Sequence, residues 1–247
     1  MQTASLVIGH RGASREAPEN TLASFELAWT EGADGIEADF RLTRDGQIVC
    51  IHDASTGRTA GVDLEIACSS LAELRRLDVG MWKSPLWAGA KIPTLAEVLA
   101  ALPMGKKLYI EIKSGEEIVA PLADLMAASG VSTEAVRFLS FSEELITAVK
   151  ARLPAWKCCW LTDYKRRGGG SLSREELLAI LARCGGDGLA ARSGSRVNEE
   201  LVAALMDAGR EIHVWTVDDP ATARRLLGLG VDSIMTNRPG WLRQRMY

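Results

Sequence analysis

Four short segments carry the residues that could do chemistry: His10-Arg11-Gly12, Glu37-Ala38-Asp39, His52-Asp53 and Glu111-Ile112-Lys113. Each lies inside or just after an apolar run that reads as a strand. The chain holds only three histidines, so two of them falling in this pattern is informative. Side chains two apart on a strand share a face, so Glu37 and Asp39 can share one cation. Glu111 and Lys113 obey the same rule on another strand. Glu37, Asp39 and Glu111 offer oxygen donors with no cysteine among them, which suits one hard divalent cation, Mg²⁺ or Ca²⁺. The competing account is salt bridging to Arg11, Arg41 or Lys113 without metal, because buried carboxylates need a cation or a partner. Histidine is the usual acid or base near neutral pH, so His10 and His52 are candidates for a proton-transfer pair. The planar Arg11 guanidinium suits phosphate, and Gly12 permits close approach of the backbone. Lys113 either neutralises a phosphate oxygen or balances Glu111. Together these groups could perform metal-assisted phosphodiester cleavage.

The elements that must position them alternate. Strands are expected at Leu6–Gly9, Gly35–Leu42, Leu108–Lys113, Val136–Ser140, Lys157–Leu161, Gly188–Ala191, Glu211–Val217 and Ser233–Thr236. Helical periodicity falls between them: Leu22–Glu31 behind a capping Asn20, Thr94–Leu102 with the Thr94/Glu97 capping box, Glu116–Ala128, Glu143–Leu153, Arg174–Cys184, Asn198–Ala208, Pro220–Leu229 and Pro239–Met246. Eight such units in 247 residues favour a closed (β/α)8 TIM barrel over an open doubly wound sheet. No Gly-x-Gly-x-x-Gly follows the first strand, which weakens a dinucleotide-binding reading. An extra strand at Ile48–His52 and an irregular stretch at about 54–92, with a short helix at Leu71–Leu77, read as a small insertion after strand two. The whole chain, 1–247, reads as one barrel domain.

In such a barrel the C-terminal strand ends build the site. His10, Glu37, Asp39, Glu111, Lys113 and Trp215 then converge on one rim. Trp215 either stacks over a sugar or polyol face or fills the barrel mouth. His213 shares its face but sits lower, and reads as structural.

Composition bounds the partners. Net charge is −3, so no global basic field would attract nucleic acid or anionic lipid. No window approaches the roughly 18 apolar residues of a membrane span, which argues against stable membrane insertion. Met1–Ser5 shows no leader pattern, and the five cysteines lack metal-finger or Cys-x-x-Cys spacing. Free thiols in a cytoplasmic protein are expected. Arg166–Ser171 reads as a solvated loop, and the oligomeric state is not encoded in any visible pattern.

The motifs continue with Pro18-Glu19-Asn20-Thr21, Gly32-Ala33-Asp34-Gly35 ahead of the Glu37 strand, Thr43-Arg44-Asp45-Gly46, Val214-Trp215-Thr216-Val217 and Asp232-Ser233-Ile234-Met235-Thr236-Asn237-Arg238-Pro239. In this order, across almost the whole chain, they resemble the glycerophosphodiester phosphodiesterase family. The resemblance implies a (β/α)8 barrel with a small insertion after strand two. It implies Glu37, Asp39 and Glu111 as metal ligands, His10 and His52 as the acid–base pair, Arg11 and Lys113 as phosphate contacts and Trp215 lining the alcohol site. The expected substrate is a small glycerophosphodiester, split to sn-glycerol 3-phosphate and an alcohol. Both a cyclic phosphate route and direct water attack fit these residues. The chain departs from the family pattern at Ser55–Gly61, which replaces the usual Arg-Thr-Thr-x-Gly stretch, and at Asn237, where Asp is more usual. Two other readings share the residues: a phospholipase D-like barrel acting on choline lipids, with Met81-Trp82 and Leu86-Trp87 as docking candidates, and a binding protein that holds a polyol phosphate without turnover.

Overall fold

The computed structural model describes residues 5–166 and 169–246. Met1 to Ala4, and the Arg167-Gly168 part of the Arg166–Ser171 loop, lie outside the described residues. The strands are β1 (Leu6–His10), β2 (Gly35–Leu42), β3 (Ile48–Cys50), β4 (Lys107–Ile112), β5 (Val136–Ser140), β6 (Lys157–Thr162), β7 (Gly188–Arg192), β8 (Glu211–Trp215) and β9 (Ser233–Thr236). All except β3 pair in parallel, and β1 joins both β9 and β2, which closes the expected eight-stranded barrel. The helices are α1 (Leu22–Thr30), α2 (Gly57–Ala60), α3 (Leu71–Leu74), α4 (Leu95–Ala101), α5 (Val119–Ser129), α6 (Glu143–Arg152), α7 (Arg174–Cys184), α8 (Glu199–Asp207), α9 (Pro220–Leu229) and α10 (Pro239–Met246).

Strand alternation sorts the core into two layers. Ile8, Tyr109, Leu139, Cys159, Leu161, Ala190 and Met235 point inward and fill the barrel. Their neighbours, such as Val7, Ile110, Phe138, Leu189 and Ile234, point outward and pack under the helices. Local signals start the helices as expected. Thr94 and Glu97 form a reciprocal capping box on α4, and Asn198 caps α8. One expectation is corrected: α1 is capped by Thr21 with Ser24, not by Asn20. Asn20 sits in the left-handed region at φ 58°, and its amide turns to the carboxylate of Asp39. Glu116–Ile118 forms a 3₁₀ turn ahead of α5.

β2 outlasts β1 and pairs antiparallel with β3 through Phe40–Cys50, Arg41–Val49 and Leu42–Ile48. This hairpin carries the chain to His52 at the rim. The excursion that follows has its own small core of Val49, Ile51, Ile66, Leu74, Val79 and Ile92. It is pinned to the loop after β1 by Lys83 Nζ donating to Ser14 O at 2.7 Å and Trp87 Nε1 to Glu16 O at 3.2 Å. No helix among the described residues is long and apolar enough to cross a membrane. The five cysteines are unpaired, and all but Cys68 are buried.

Candidate active site

A cleft of about 190 Å³ opens at the C-terminal end of the barrel, lined by His10, Arg11, Glu37, His52, Glu111, Lys113, Leu139, Phe141, Leu161, Trp215 and Met235. Every site residue expected from sequence lines it except Asp39, which is fully buried in its floor. Lys113 stands one residue past the end of β4.

The turn after β1 builds one wall. Arg11 adopts φ 56°, and its backbone N–H donates to the Glu37 carbonyl at 2.8 Å. Gly12 follows at φ 82°, and a Cβ there would meet Ser24 at 2.4 Å, so glycine is required twice over. The turn aims the guanidinium downward: Arg11 Nε lies 3.1 Å from Asp39 Oδ2 and Nη1 lies 3.0 Å from Glu19 Oε1.

Glu37, Asp39 and Glu111 present carboxylate oxygens that all lie within 4.8 Å of one another, and all three residues are buried. Lys113 Nζ lies 2.5 Å from Glu111 Oε1 and 3.2 Å from Asp39 Oδ1. Buried anions so close cannot share the same charge state. Burial pushes Asp39 up, but Arg11 and Lys113 prevail and hold it down at about 2. Burial together with the charge of Asp39 raises Glu111 to about 7, against the opposing pull of Lys113. Burial and the same neighbouring anions push Glu37 well above the usual carboxylate range.

The histidines flank this group. His10 Nδ1 lies 2.7 Å from Asn237 Oδ1, and its Nε2 lies 3.8 Å from Glu37 Oε2. Burial, helped by Arg11, lowers its pKa despite the Asn237 contact. His52 Nδ1 lies 2.7 Å from Asp53 Oδ1. Arg58 Nε donates to Asp53 Oδ2 at 2.6 Å and binds Glu19 through both Nη groups. Arg41 clamps the His52 carbonyl through Nε and Nη2 at 3.0 and 2.8 Å. The opposite wall is apolar. Trp215 donates its indole N–H to Ala190 O at 3.0 Å and meets Phe141 edge-on, with centroids 5.8 Å apart.

Comparison with known proteins decides the family. A sequence model of the glycerophosphoryl diester phosphodiesterase family matches residues 10–241. The chain belongs to that family. A glycerophosphodiester phosphodiesterase of Caldanaerobacter subterraneus subsp. tengcongensis is 31% identical over 249 residues, covering 95% of each chain. Among solved structures, a phosphodiesterase from Oleispira antarctica, in complex with the product sn-glycerol-3-phosphate, superposes with TM-score 0.88 at 28% identity, covering 98% of this chain and 97% of that one. A glycerophosphodiester phosphodiesterase from Agrobacterium tumefaciens gives TM-score 0.84 at 29% identity, covering 97% and 99%. The protein is therefore a phosphoric diester hydrolase of this class. The comparisons lend no support to the phospholipase D-like or binding-only readings.

The carboxylate trio of this phosphodiesterase fits a cation. Glu37 Oε1, Asp39 Oδ1 and Glu111 Oε1 are buried and accept no well-formed hydrogen bond, although Lys113 lies against two of them. Three convergent buried carboxylates, with Glu37 Oε1 unpartnered and the other two balanced by Lys113, match the donor set of a hard divalent ion.

Several supporting residues were missed from sequence. Asn20 donates to Asp39 Oδ2 at 2.8 Å and accepts from the Asp39 N–H at 3.2 Å. Asp218 accepts from the Asn237 side-chain amide at 2.6 Å and from its backbone N–H at 2.8 Å. Arg58 belongs to the departing Ser55–Gly61 stretch and braces Asp53. Asn20 lay in the Pro18–Thr21 motif and Asn237 at a departure from the family pattern, but nothing local gave either of them its role. Trp82 and Trp87 do not line the cleft. Trp82 folds back onto Val79 O, and Trp87 onto the loop after β1.

Proposed function

We propose that the protein hydrolyses a glycerophosphodiester to sn-glycerol 3-phosphate and an alcohol. In this reading Glu37, Asp39 and Glu111 hold one divalent cation, Mg²⁺ or Ca²⁺, and His10 and His52 move the protons. The observation that carries it is one cleft in which two histidines flank three buried carboxylates whose ligand oxygens lie within 4.8 Å of one another. A cation bound there would act as a Lewis acid towards a phosphoryl oxygen and offset charge that develops on it.

The chain's own residues supply the rest. A carboxylate only accepts, so Asp218 fixes the amide nitrogen of Asn237 toward itself and the amide oxygen toward His10. Nδ1 of His10 must then carry the proton, which leaves Nε2 as the free lone pair. His10 is thereby arranged to take the proton of the attacking oxygen, whether water itself or the glycerol 2-hydroxyl, whose cyclic phosphate water then opens. His52 has its Nδ1 held by the Asp53 carboxylate, which orients the ring and leaves Nε2 facing the cleft to pass a proton to the departing alkoxide. Lys113 has three donors and meets two carboxylates, so one remains for a phosphate oxygen. Arg11 borders the same space. Trp215 and Phe141 form the wall on which the alcohol rests.

The product held by the Oleispira antarctica neighbour supports sn-glycerol 3-phosphate as the released phosphate. Unpaired cysteines support a reducing, cytoplasmic setting. Phosphorus NMR of a glycerophosphodiester incubated with the protein tests the reaction. The substrate resonance should give way to that of sn-glycerol 3-phosphate; an unchanged spectrum contradicts the reading.

A further inference from the structure

The charged side chains of the cleft come from β1, β2, β4 and the stretch after β3, whereas β5, β6, β8 and β9 supply Leu139, Phe141, Leu161, Trp215 and Met235. A phosphate bound on the charged side leaves its alcohol to run over the apolar side. Among the described residues, one charged side chain on the strand beside Trp215, just outside the residues that line the cleft, has no partner.

Arg192 ends β7, the one exposed residue of a strand otherwise buried. Leu189 and Ala191 point outward into the layer under the helices, and Ala190 points into the barrel. Alternation therefore gives Arg192 the next inward position, at the rim. It pairs in register with Trp215 of β8. The backbone beyond it is fixed, with Ser193 N–H donating to Trp215 O at 2.6 Å and Ser193 Oγ to Thr216 O at 3.1 Å. The guanidinium itself makes no ion pair or hydrogen bond among the described residues. Neighbouring cations differ. Lys165 is engaged by Asp163 at 2.8 Å, Arg166 by Glu176, and Arg196 stacks over Tyr164 and donates to Leu172 O.

We propose that Arg192 binds an anionic group, a carboxylate or a phosphate, carried by the leaving alcohol, and so sets the head-group preference of the site. The inference rests on the hydrolytic reading above. The planar five-donor guanidinium matches either oxyanion bidentately, and Trp215 beside it offers a face for the carbon chain. A cationic head group, such as choline or ethanolamine, gains nothing from this position.

The test compares glycerophosphoserine with glycerophosphoethanolamine, whose alcohols differ by one carboxylate, and phosphorylated with plain glycerophosphoglycerol. Arg192→Ala should lose on the order of 10- to 100-fold in kcat/KM, mainly through KM, on an anionic member of a pair. Its neutral or cationic counterpart should change by less than about twofold. Arg192→Lys should fall between, because it keeps the charge and loses the fork. A loss confined to glycerophosphoserine assigns the carboxylate, and one confined to the phosphorylated substrate assigns the phosphate. Thermal unfolding of the variants should match wild type, since the side chain is exposed and unpartnered. Unchanged ratios within both pairs, or equal losses across them, overturn the proposal. Failure of wild type to release sn-glycerol 3-phosphate from any of the four overturns the hydrolytic reading first, and this inference with it.

Discussion

Asn237 Oδ1 lies 2.7 Å from His10 Nδ1, and the amide behind that contact is locked by Asp218. The other histidine of the cleft makes a contact of the same 2.7 Å length, but to the Asp53 carboxylate. One ring is thus held by a neutral acceptor and the other by an anion. The difference in partner charge separates the two rings to which the proposed reaction gives the proton transfers.

Replacing either His10 or His52 by Ala should remove on the order of 10²–10⁴ in rate. The losses should not multiply in the double mutant, because residues acting as one unit are non-additive. A nitrophenyl ester needs little protonation of its leaving group. It should restore His52→Ala in part and leave His10→Ala impaired; the opposite pattern exchanges the two roles.

Asp218→Asn frees the Asn237 amide to flip and present its N–H₂ to His10. The expected loss is roughly 10- to 100-fold in kcat with little change in KM, the scale of a misaligned catalytic group. Steady-state kinetics on one substrate reads this directly. A change confined to KM would show that Asp218 serves binding instead.

Cation binding should be linked to pH through Glu111. Its folded-state pKa, raised by burial and Asp39 to about 7, lies above the roughly 4.3 of an unfolded glutamate. A raised carboxyl favours the fold when protonated, so this contribution is full below about pH 4 and is lost as pH rises through about 7. A divalent cation replaces the proton. Saturating Mg²⁺ or Ca²⁺, at about 100 times Kd, should raise Tm by roughly 5–10 °C at pH 8. The rise should be clearly smaller at pH 5. Scanning calorimetry at the two pH values checks the sign, which a cation bound elsewhere on the surface would not reproduce.

Below the cleft, Glu211 binds Arg137 through two contacts at 2.9 and 3.1 Å, meets Lys157, and lies 3.2 Å from His213 Nε2. Burial would raise this carboxyl, but hydrogen bonds from His213 and Arg137 hold it well below the usual range. Its contribution is therefore present above about pH 4.3 and is lost only in strong acid. Glu211→Gln leaves the buried Arg137 guanidinium uncompensated and should cost about 3 kcal/mol, near 10 °C in Tm. Turnover at low temperature should survive, since no member of this network lines the cleft.

The barrel was legible because its signals are local. Strand alternation put Glu37 with Asp39 and Glu111 with Lys113 on shared faces, and capping at Thr94 and Asn198 marked helix starts correctly. The cleft followed from counting strand ends. What escaped depends on contacts far apart in the chain. Asn20 looked like a helix cap because its neighbours are those of a cap, yet its amide pairs with Asp39 across the turn. Asp218 reads as an ordinary loop acid beside Asp219, the real cap of α9. Arg58 sits in a segment with no periodicity, so nothing local tied it to Asp53. Trp82 and Trp87, docking candidates in the sequence, are instead held away from the cleft by indole hydrogen bonds to Val79 O and Glu16 O.

The most direct measurement is the rate of sn-glycerol 3-phosphate release from a glycerophosphodiester before and after removal of divalent cations. The convergent, buried carboxylate trio predicts that chelation abolishes turnover and that Mg²⁺ or Ca²⁺ restores it. Asp39→Asn, which keeps shape and removes charge, should need far more cation for the same rate. Full turnover in metal-free protein, unchanged by either ion, would contradict the account.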